Sequence, residues 1–484
     1  MVHPRPQFHF TPPAHFMNDP NGLVYFQGEY HLFYQHNPFG DTWGHMSWGH
    51  AVSPDMVRWT HLPVALYEEA GTMIFSGSAV MDWHNSSRLC TATGAVAQPC
   101  LIAIYTGHTA AEQTQHIACS RDRGRTWTKY AGNPVLAIGS PNFRDPKVFW
   151  HAPTGRWIMS AVLADQQRVR FYASADLKHW DHLSDFGPAG ATAGVWECPD
   201  LFPLAVDGNP ERQKWVLKVD VNPGAIAGGS GGQYFIGHFD GITFVSDDPP
   251  DHVRWIDYGK DFYAAQSWSD VPAADGRRLW LGWMSNWQYA NVTPTAPWRG
   301  AMSIPRAVTL KEYAEGIQLV QRPVVELQRL RDRHYRCADV DRATANALLK
   351  EWGINGLALE IVAEFEPGTA AECGLRVRKG ASEETCIGYE VNAGALFVDR
   401  THSGKVGFDA HFAGRHAGPL RAEHGTVKMH VFVDQCSVEV FSNGGRTVIT
   451  DLIFPSARST GVEVYAMGGD VRLRALDIWT LHHL

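Results

Sequence analysis

The run YHLFYQ at Tyr30–Gln35 has four echoes along the chain: LIAIYT at Leu101, WIMSAV at Trp157, WVLKVD at Trp215 and LWLGWM at Leu279. Each is short, rich in aromatic or branched aliphatic residues, and free of helical spacing. Their starts lie 56 to 71 residues apart. Turn formers precede three of them: Gln27-Gly28, Thr154-Gly155 and Asp275-Gly276. A second echo is Ser-x-Asp followed by Trp, at Ser53/Asp55/Trp59, Ser120/Asp122/Trp127 and Ser174/Asp176/Trp180, with a looser copy from Ser246 to Trp255. Repeats of this length, made of strands and tryptophans, predict propeller blades, and five copies predict five blades. A large irregular β-sandwich is the competing arrangement.

The pattern changes near Arg322–Arg336, where Val325, Leu327 and Leu330 among charges predict a short helix or connector. Alternating strands follow at Leu357–Glu364, Cys386–Val391, Thr426–Val433 and Ser437–Phe441, and Asn443-Gly444-Gly445 is a hairpin signal. The expected architecture is all-β: a five-bladed β-propeller over residues 1–320, a connector over 321–336, and a β-sandwich over 337–484. The sandwich is expected mainly to brace the propeller.

Three acids stand in stiffened segments: Asp19 in HFMNDPNG, Asp145 in NFRDPK and Glu197 in VWECPDLF. Proline follows each at once or one position later; it fixes its own φ and pushes the residue before it toward extended backbone. Phe16, Phe143 and Trp196 flank the acids. Each segment alone reads more readily as a turn, a structural ion pair or a solvated acid than as a catalytic group. Together they place carboxylates beside aromatic surface, as glycoside hydrolysis requires. Asp19 precedes the first repeat, Phe75–Ser78 the second, Asp145 the third, Glu197 the fourth and Gln266 the fifth, so equivalent strands around one axis would gather them at one end.

With these motifs the chain resembles glycoside hydrolase family 32, which includes invertases, inulinases and levanases. The likeness extends to Gln35-His36-Asn37-Pro38, Trp48-Gly49-His50-Ala51, Phe75-Ser76-Gly77-Ser78, DFYAAQ at Asp261, GWMSNWQY at Gly282, PWRGAMSIPR at Pro297 and SVEVFSNGGRTVITDLIFP at Ser437. Phe16 departs from the tryptophan that many members carry. The resemblance implies a retaining exo-β-fructosidase that releases fructose from terminal β-fructofuranosyl units of levan or inulin, and of sucrose secondarily. A sucrose hydrolase, or a fructosyltransferase working through the same covalent intermediate, is the alternative. By residue-by-residue matching, Asp19 maps onto the nucleophile, Glu197 onto the general acid/base and Asp145 onto a carboxylate that steadies the transition state. Asn18, Gln35, Trp43, Phe75, Ser78, Arg144 and Trp298 map onto sugar contacts. Glu197 must begin protonated and Asp19 ionised, so an acidic, bell-shaped pH profile is expected. A non-catalytic sugar-binding protein on the same fold is a reading of another class; retention of all three acids speaks against it.

Bulk properties narrow the alternatives. The 484 residues exceed one ordinary core. A net charge of −8 without a long basic run argues against nucleic acid as partner. No apolar run of membrane-spanning length is present, so no membrane partner is expected. The eight cysteines form no CxxC pair, which argues against a zinc site, and mostly free thiols are expected. No metal or organic cofactor is needed for the chemistry. Residues 228–232, GGSGG, read as a flexible loop bordering the substrate mouth. Met1–Pro13 lacks the apolar stretch of a signal peptide, so the chain is cytoplasmic if Met1 is native and secreted or periplasmic if a leader was removed. Monomer and homodimer are both compatible with the sequence.

Overall fold

A computed structural model describes residues 5–90 and 98–482. Five antiparallel four-stranded meanders form the first unit. Their innermost strands are His15–Phe26, Met73–Asp82, Phe143–His151, Val195–Val206 and Tyr263–Ser267. The five echoed runs fall on the second strand of each blade: Glu29–Asn37, Cys100–His108, Arg156–Leu163, Asn209–Asn222 and Arg278–Trp283. They are echoed because each is buried on both faces, between the blades on either side. The ring closes through Ser269, which exchanges backbone hydrogen bonds with Leu23 and Tyr25, and through the short Trp298–Arg299 strand, which pairs parallel with His15 and Phe16.

The Ser-x-Asp echo has a local cause. Ser53, Ser120 and Ser174 each end a third strand, and the aspartate caps the following turn. Asp55 accepts from the Val57 and Arg58 amides, Asp122 from Thr126, and Asp176 from Lys178 and His179. The looser copy does not belong to this set, because Ser246 ends a fourth strand, Phe244–Ser246.

The second unit is a sandwich of a six-stranded and a five-stranded sheet around one apolar core. It begins earlier than the sequence reading placed it. Within the expected connector only Val325–Leu330 is helical, as a 3₁₀ turn; Arg331–Asp341 is already a sandwich strand, paired with Arg472–Leu481. The sequence reading also missed an α-helix at Arg342–Trp352. Its ends were marked by Asp341, which accepts from the Thr344 amide, and by Gly353 in a left-handed conformation. Among the described residues one disulfide, Cys90–Cys100, joins two of the eight cysteines, and the other six are free thiols.

The two units share buried polar contacts. Arg306 donates to Glu439 and Thr450 at 2.6 Å each and pairs with Asp257 at 3.1 Å. Arg400 donates to Asp261 at 2.5 Å, and His9 bridges Asp434 and Glu439 at 2.7 and 2.9 Å. The Asn443–Gly445 turn docks on the last propeller strand. A Cβ at Gly445 would lie 1.7 Å from the Gln321 carbonyl, so only glycine allows that approach.

Candidate active site

Every inner strand carries the same irregularity near its start. Asn18 and Asp19 together oppose the single Gln35; Phe75 and Ser76 oppose Thr106; Asp145 and Pro146 oppose Ala161; Cys198 and Pro199 oppose Val219; Ala264 and Ala265 oppose Gly282. These are β-bulges, two residues against one, and they re-aim side chains. A regular strand sends neighbours to opposite faces. Here Asn18 with Asp19, Phe75 with Ser76, and Arg144 with Asp145 line one cleft as consecutive pairs. The prolines sit where no ladder donor is needed. The residues before them are not all extended, as the sequence led us to expect: Asp145 has φ 62° and Cys198 φ 48°, because the bulge turns the backbone left-handed there.

The cleft, of about 170 Å³, is lined by Asn18, Asp19, Gln35, Trp43, Phe75, Ser76, Arg144, Asp145, Glu197, Asn222 and Trp287. All three acids therefore face one space. Asp19 accepts from Ser76 Oγ at 2.6 Å, Asn18 Nδ2 at 2.9 Å and Cys198 Sγ at 3.4 Å. Burial pushes its carboxyl above the ordinary range; the bonds from Ser76, Asn18 and Cys198 oppose that rise, and the Glu197 charge adds to it. Asp145 accepts from the Cys198 amide at 2.9 Å, and its own amide donates to Thr106 Oγ1 at 3.0 Å. Burial raises Asp145 to about 7, against the pull of Arg144 and with the help of Glu197 and Asp19. Glu197 is held from two sides, by Arg144 Nε at 3.1 Å and by the Tyr263 hydroxyl, which donates to Oε2.

The outer wall is aromatic. Phe75 stacks on His108 at 4.3 Å, and Trp43 meets Phe75 edge-on at 6.0 Å. Trp287 also lines the cleft, backed by Phe16 at 6.3 Å and Trp283 at 4.8 Å. The GGSGG segment fastens that wall: Asn286 Nδ2 donates to the Gly228, Ser230 and Lys260 carbonyls, and the Trp287 amide donates to Ser230 Oγ. Read from sequence as a flexible loop, it is tied down behind the wall.

Residues 9–323 match the model of the glycosyl hydrolases family 32 N-terminal domain, and residues 326–480 match that of the family 32 C terminal. The chain belongs to glycosyl hydrolase family 32. This family 32 chain is similar to the levanase of Bacillus subtilis (strain 168), at 53% identity over 99% of this chain and 70% of that protein. It is also similar to the levanase of Bacillus sp. (strain L7), at 40% identity over 99% of this chain and 52% of that protein. It thus spans about half the length of the second. The crystal structure of the exo-inulinase from Aspergillus awamori superposes with a TM-score of 0.91 at 36% identity, covering 99% of this chain and 98% of that one. The protein is a glycoside hydrolase, and its fold is the propeller and sandwich expected from sequence.

Two of the sugar contacts expected from the family resemblance do not face the cleft. Ser78 is fully buried deeper along the axis, donating to the Pro146 carbonyl at 2.8 Å and accepting from the Val148 amide at 3.0 Å. Two residues of strand, about 6–7 Å, separate it from Ser76, which occupies the cleft in its place. Trp298 is buried with Met284, Phe412, Leu452 and Phe454 where the propeller meets the sandwich. Trp287, inside the quoted GWMSNWQY run, is the tryptophan on the wall. Trp196 also turns away from the cleft: it packs between blades 3 and 4, and its indole N–H donates to the Ala191 carbonyl. Tyr263, inside the quoted DFYAAQ run, and Asn222, outside every quoted motif, were not singled out from sequence, since each reaches the site from a strand whose register alone decides its direction.

Proposed function

We propose that this family 32 hydrolase is a retaining exo-β-fructosidase that cleaves terminal β-fructofuranosyl units from levan or inulin, and from sucrose secondarily. The observation that carries the reading is the cleft itself: three carboxylates facing one space of about 170 Å³. That is below the 300–1,000 Å³ of pockets for larger ligands, and suits one sugar unit at a chain end rather than an internal segment of polymer. The similarity to two levanases and an exo-inulinase supports the substrate class.

In this reading Asp19 is the nucleophile. Its carboxylate attacks the anomeric carbon while Glu197 protonates the departing glycosidic oxygen, giving a fructosyl ester on Asp19. Glu197, now ionised, takes a proton from water as that water attacks the same carbon, and Asp19 departs. Two inversions give net retention. Asp145 hydrogen-bonds fructose hydroxyls as charge develops on the ring, and Arg144 and Tyr263 hold Glu197 for both proton transfers. Asn18, Gln35, Arg144 and Asn222 supply hydroxyl partners, and Trp43, Phe75 and Trp287 supply ring surface.

Product analysis with levan, inulin and sucrose tests the assignment. Fructose as the sole early product from the polymers is expected. A ladder of oligomers would contradict exo action, and lengthened products would assign the protein to transfer instead.

A further inference from the structure

We propose that the cavity at the far end of the propeller axis is a second, non-catalytic binding site for a neutral saccharide. The cavity has a volume of about 500 Å³, larger than the catalytic cleft. The inner strands of blades 2, 3 and 4 line both. On blade 3 Asp145 faces the cleft, while Lys147, Phe149 and Trp150 face the cavity; on blade 4 Glu197 faces the cleft, while Asp200 and Pro203 face the cavity. At about 3.3 Å per strand residue, six residues carry the chain roughly 20 Å from one opening toward the other. The two openings are therefore distinct.

The lining has the chemistry of sugar recognition. Four tryptophans contribute: Trp83, Trp150, Trp157 and Trp215. Trp83 and Trp150 are 52% and 42% exposed, which leaves ring surface free at the cavity edge. Flat aromatic rings beside fixed polar groups suit the apolar faces and hydroxyl edges of a saccharide ring. Beneath them lie polar groups with unused capacity. Asp200 is buried, and its Oδ1 has no hydrogen-bond partner. Arg278 makes only two long hydrogen bonds among the described residues, to Ser267 Oγ at 3.5 Å and the Trp268 carbonyl at 3.4 Å. Lys147 donates to the Ser267 carbonyl at 2.5 Å and sits 3.5 Å from Asp200 Oδ2, which leaves part of its three-donor capacity free. Hydroxyl groups, which donate and accept, complement such a mixture.

Charge selects the ligand class. Lys147 and Arg278 are balanced by Asp200 and Asp270 on the same lining, so the cavity carries no excess positive charge to hold an anion. A neutral polyol fits; phosphate and acidic glycans do not. The proposal does not depend on the enzyme's substrate, because the saccharide can be part of the polymer being degraded or an unrelated glycan.

The test uses the full chain carrying Asp19→Asn, so that bound polymer persists. Oxidative footprinting of Trp83 and Trp150 is compared without ligand and with levan, inulin, dextran or inorganic phosphate. Protection by at least one neutral saccharide and none by phosphate is expected. Protection by levan or inulin alone identifies the polymer substrate as the source, and protection by dextran an unrelated glycan. Protection by none of the saccharides, or by phosphate, would overturn the proposal. In a second measurement, Trp150→Ala should weaken retention on a gel containing the protecting polysaccharide about tenfold, as for a truncated aromatic platform. Trp150→Tyr should stay within about twofold, and sucrose turnover by the chain with Asp19 intact should be unchanged by either substitution. Equal retention of all three proteins would also overturn it.

Discussion

Arg144 Nε donates to Glu197 Oε1 at 3.1 Å, joining the inner strands of blades 3 and 4 across the cleft. Its sequence neighbour Asp145 faces the same space because two residues of blade 3 oppose one of its partner strand. A cation is thereby placed among three carboxylates, where it lowers the cost of holding them together. Arg144→Leu should reduce kcat/KM by about 10²-fold, the loss typical of one fixed donor in an active site. It should also move the acidic limb of the kcat/KM profile upward, since Asp145 acts as a carboxylate and Arg144 favours its ionised form, itself held at about 7. A pH-rate profile of both proteins checks this; an unmoved limb would separate Arg144 from the titration.

Asp19→Asn should lower kcat on the order of 10⁴-fold while leaving the thermal transition near that of the wild type. Glu197→Gln should cost about 10²–10⁴-fold, and less on fructosides whose leaving group departs without protonation. Steady-state kinetics on sucrose and on an aryl fructoside distinguish the two roles.

Asp145→Asn has a predictable effect on stability as well as on rate. The folded-state pKa of Asp145 is raised to about 7 from an ordinary 3.8. The folded protein therefore prefers the neutral form, an advantage fully present below pH 3.8 and lost as pH rises through 7. The Asn variant, neutral throughout, should melt about one to a few degrees above the wild type at pH 8 and show no such gain at pH 4. Calorimetry at both pH values is the measurement, with activity lost at each.

Trp287→Ala should raise KM for fructans about tenfold with a smaller change in kcat, because the ring provides surface rather than charge. Trp298→Ala should instead lower stability, since that ring is 3% exposed and packs against the sandwich. Kinetics and thermal melts of the pair show which tryptophan forms the wall.

His9 offers a test of the contact between the two units. Burial would depress its pKa, but hydrogen bonds and charge from Asp434 and Glu439 raise it to about 9. A raised pKa contributes stability fully present below 6.5 and lost as pH passes through about 9. His9→Gln should destabilise by about 3 kcal/mol at pH 6 and by much less at pH 10. Denaturant unfolding at the two pH values checks the sign.

The blade count was legible because every second strand, from Tyr30 to Leu279, is buried on both faces and so repeats its composition. The convergence of Asp19, Asp145 and Glu197 was legible from their order against those repeats. The direction of individual side chains was not. A bulge is a property of two strands in register, so one strand's sequence could not reveal that Ser76 faces the cleft while Ser78 lies beneath it. Trp298 and Trp287 both lie in tryptophan-bearing segments, and only the docking of the sandwich separates a buried ring from a wall. The helix at Arg342–Trp352 was overlooked although Asp341 and Gly353 marked its ends.

The most direct test of the account is the anomeric form of the first product, followed by NMR on a fresh fructoside digest. A nucleophilic Asp19 paired with Glu197 predicts that β-fructofuranose appears first and only then mutarotates. Initial release of the α anomer would mean a single displacement by water, and would contradict the assignment of Asp19.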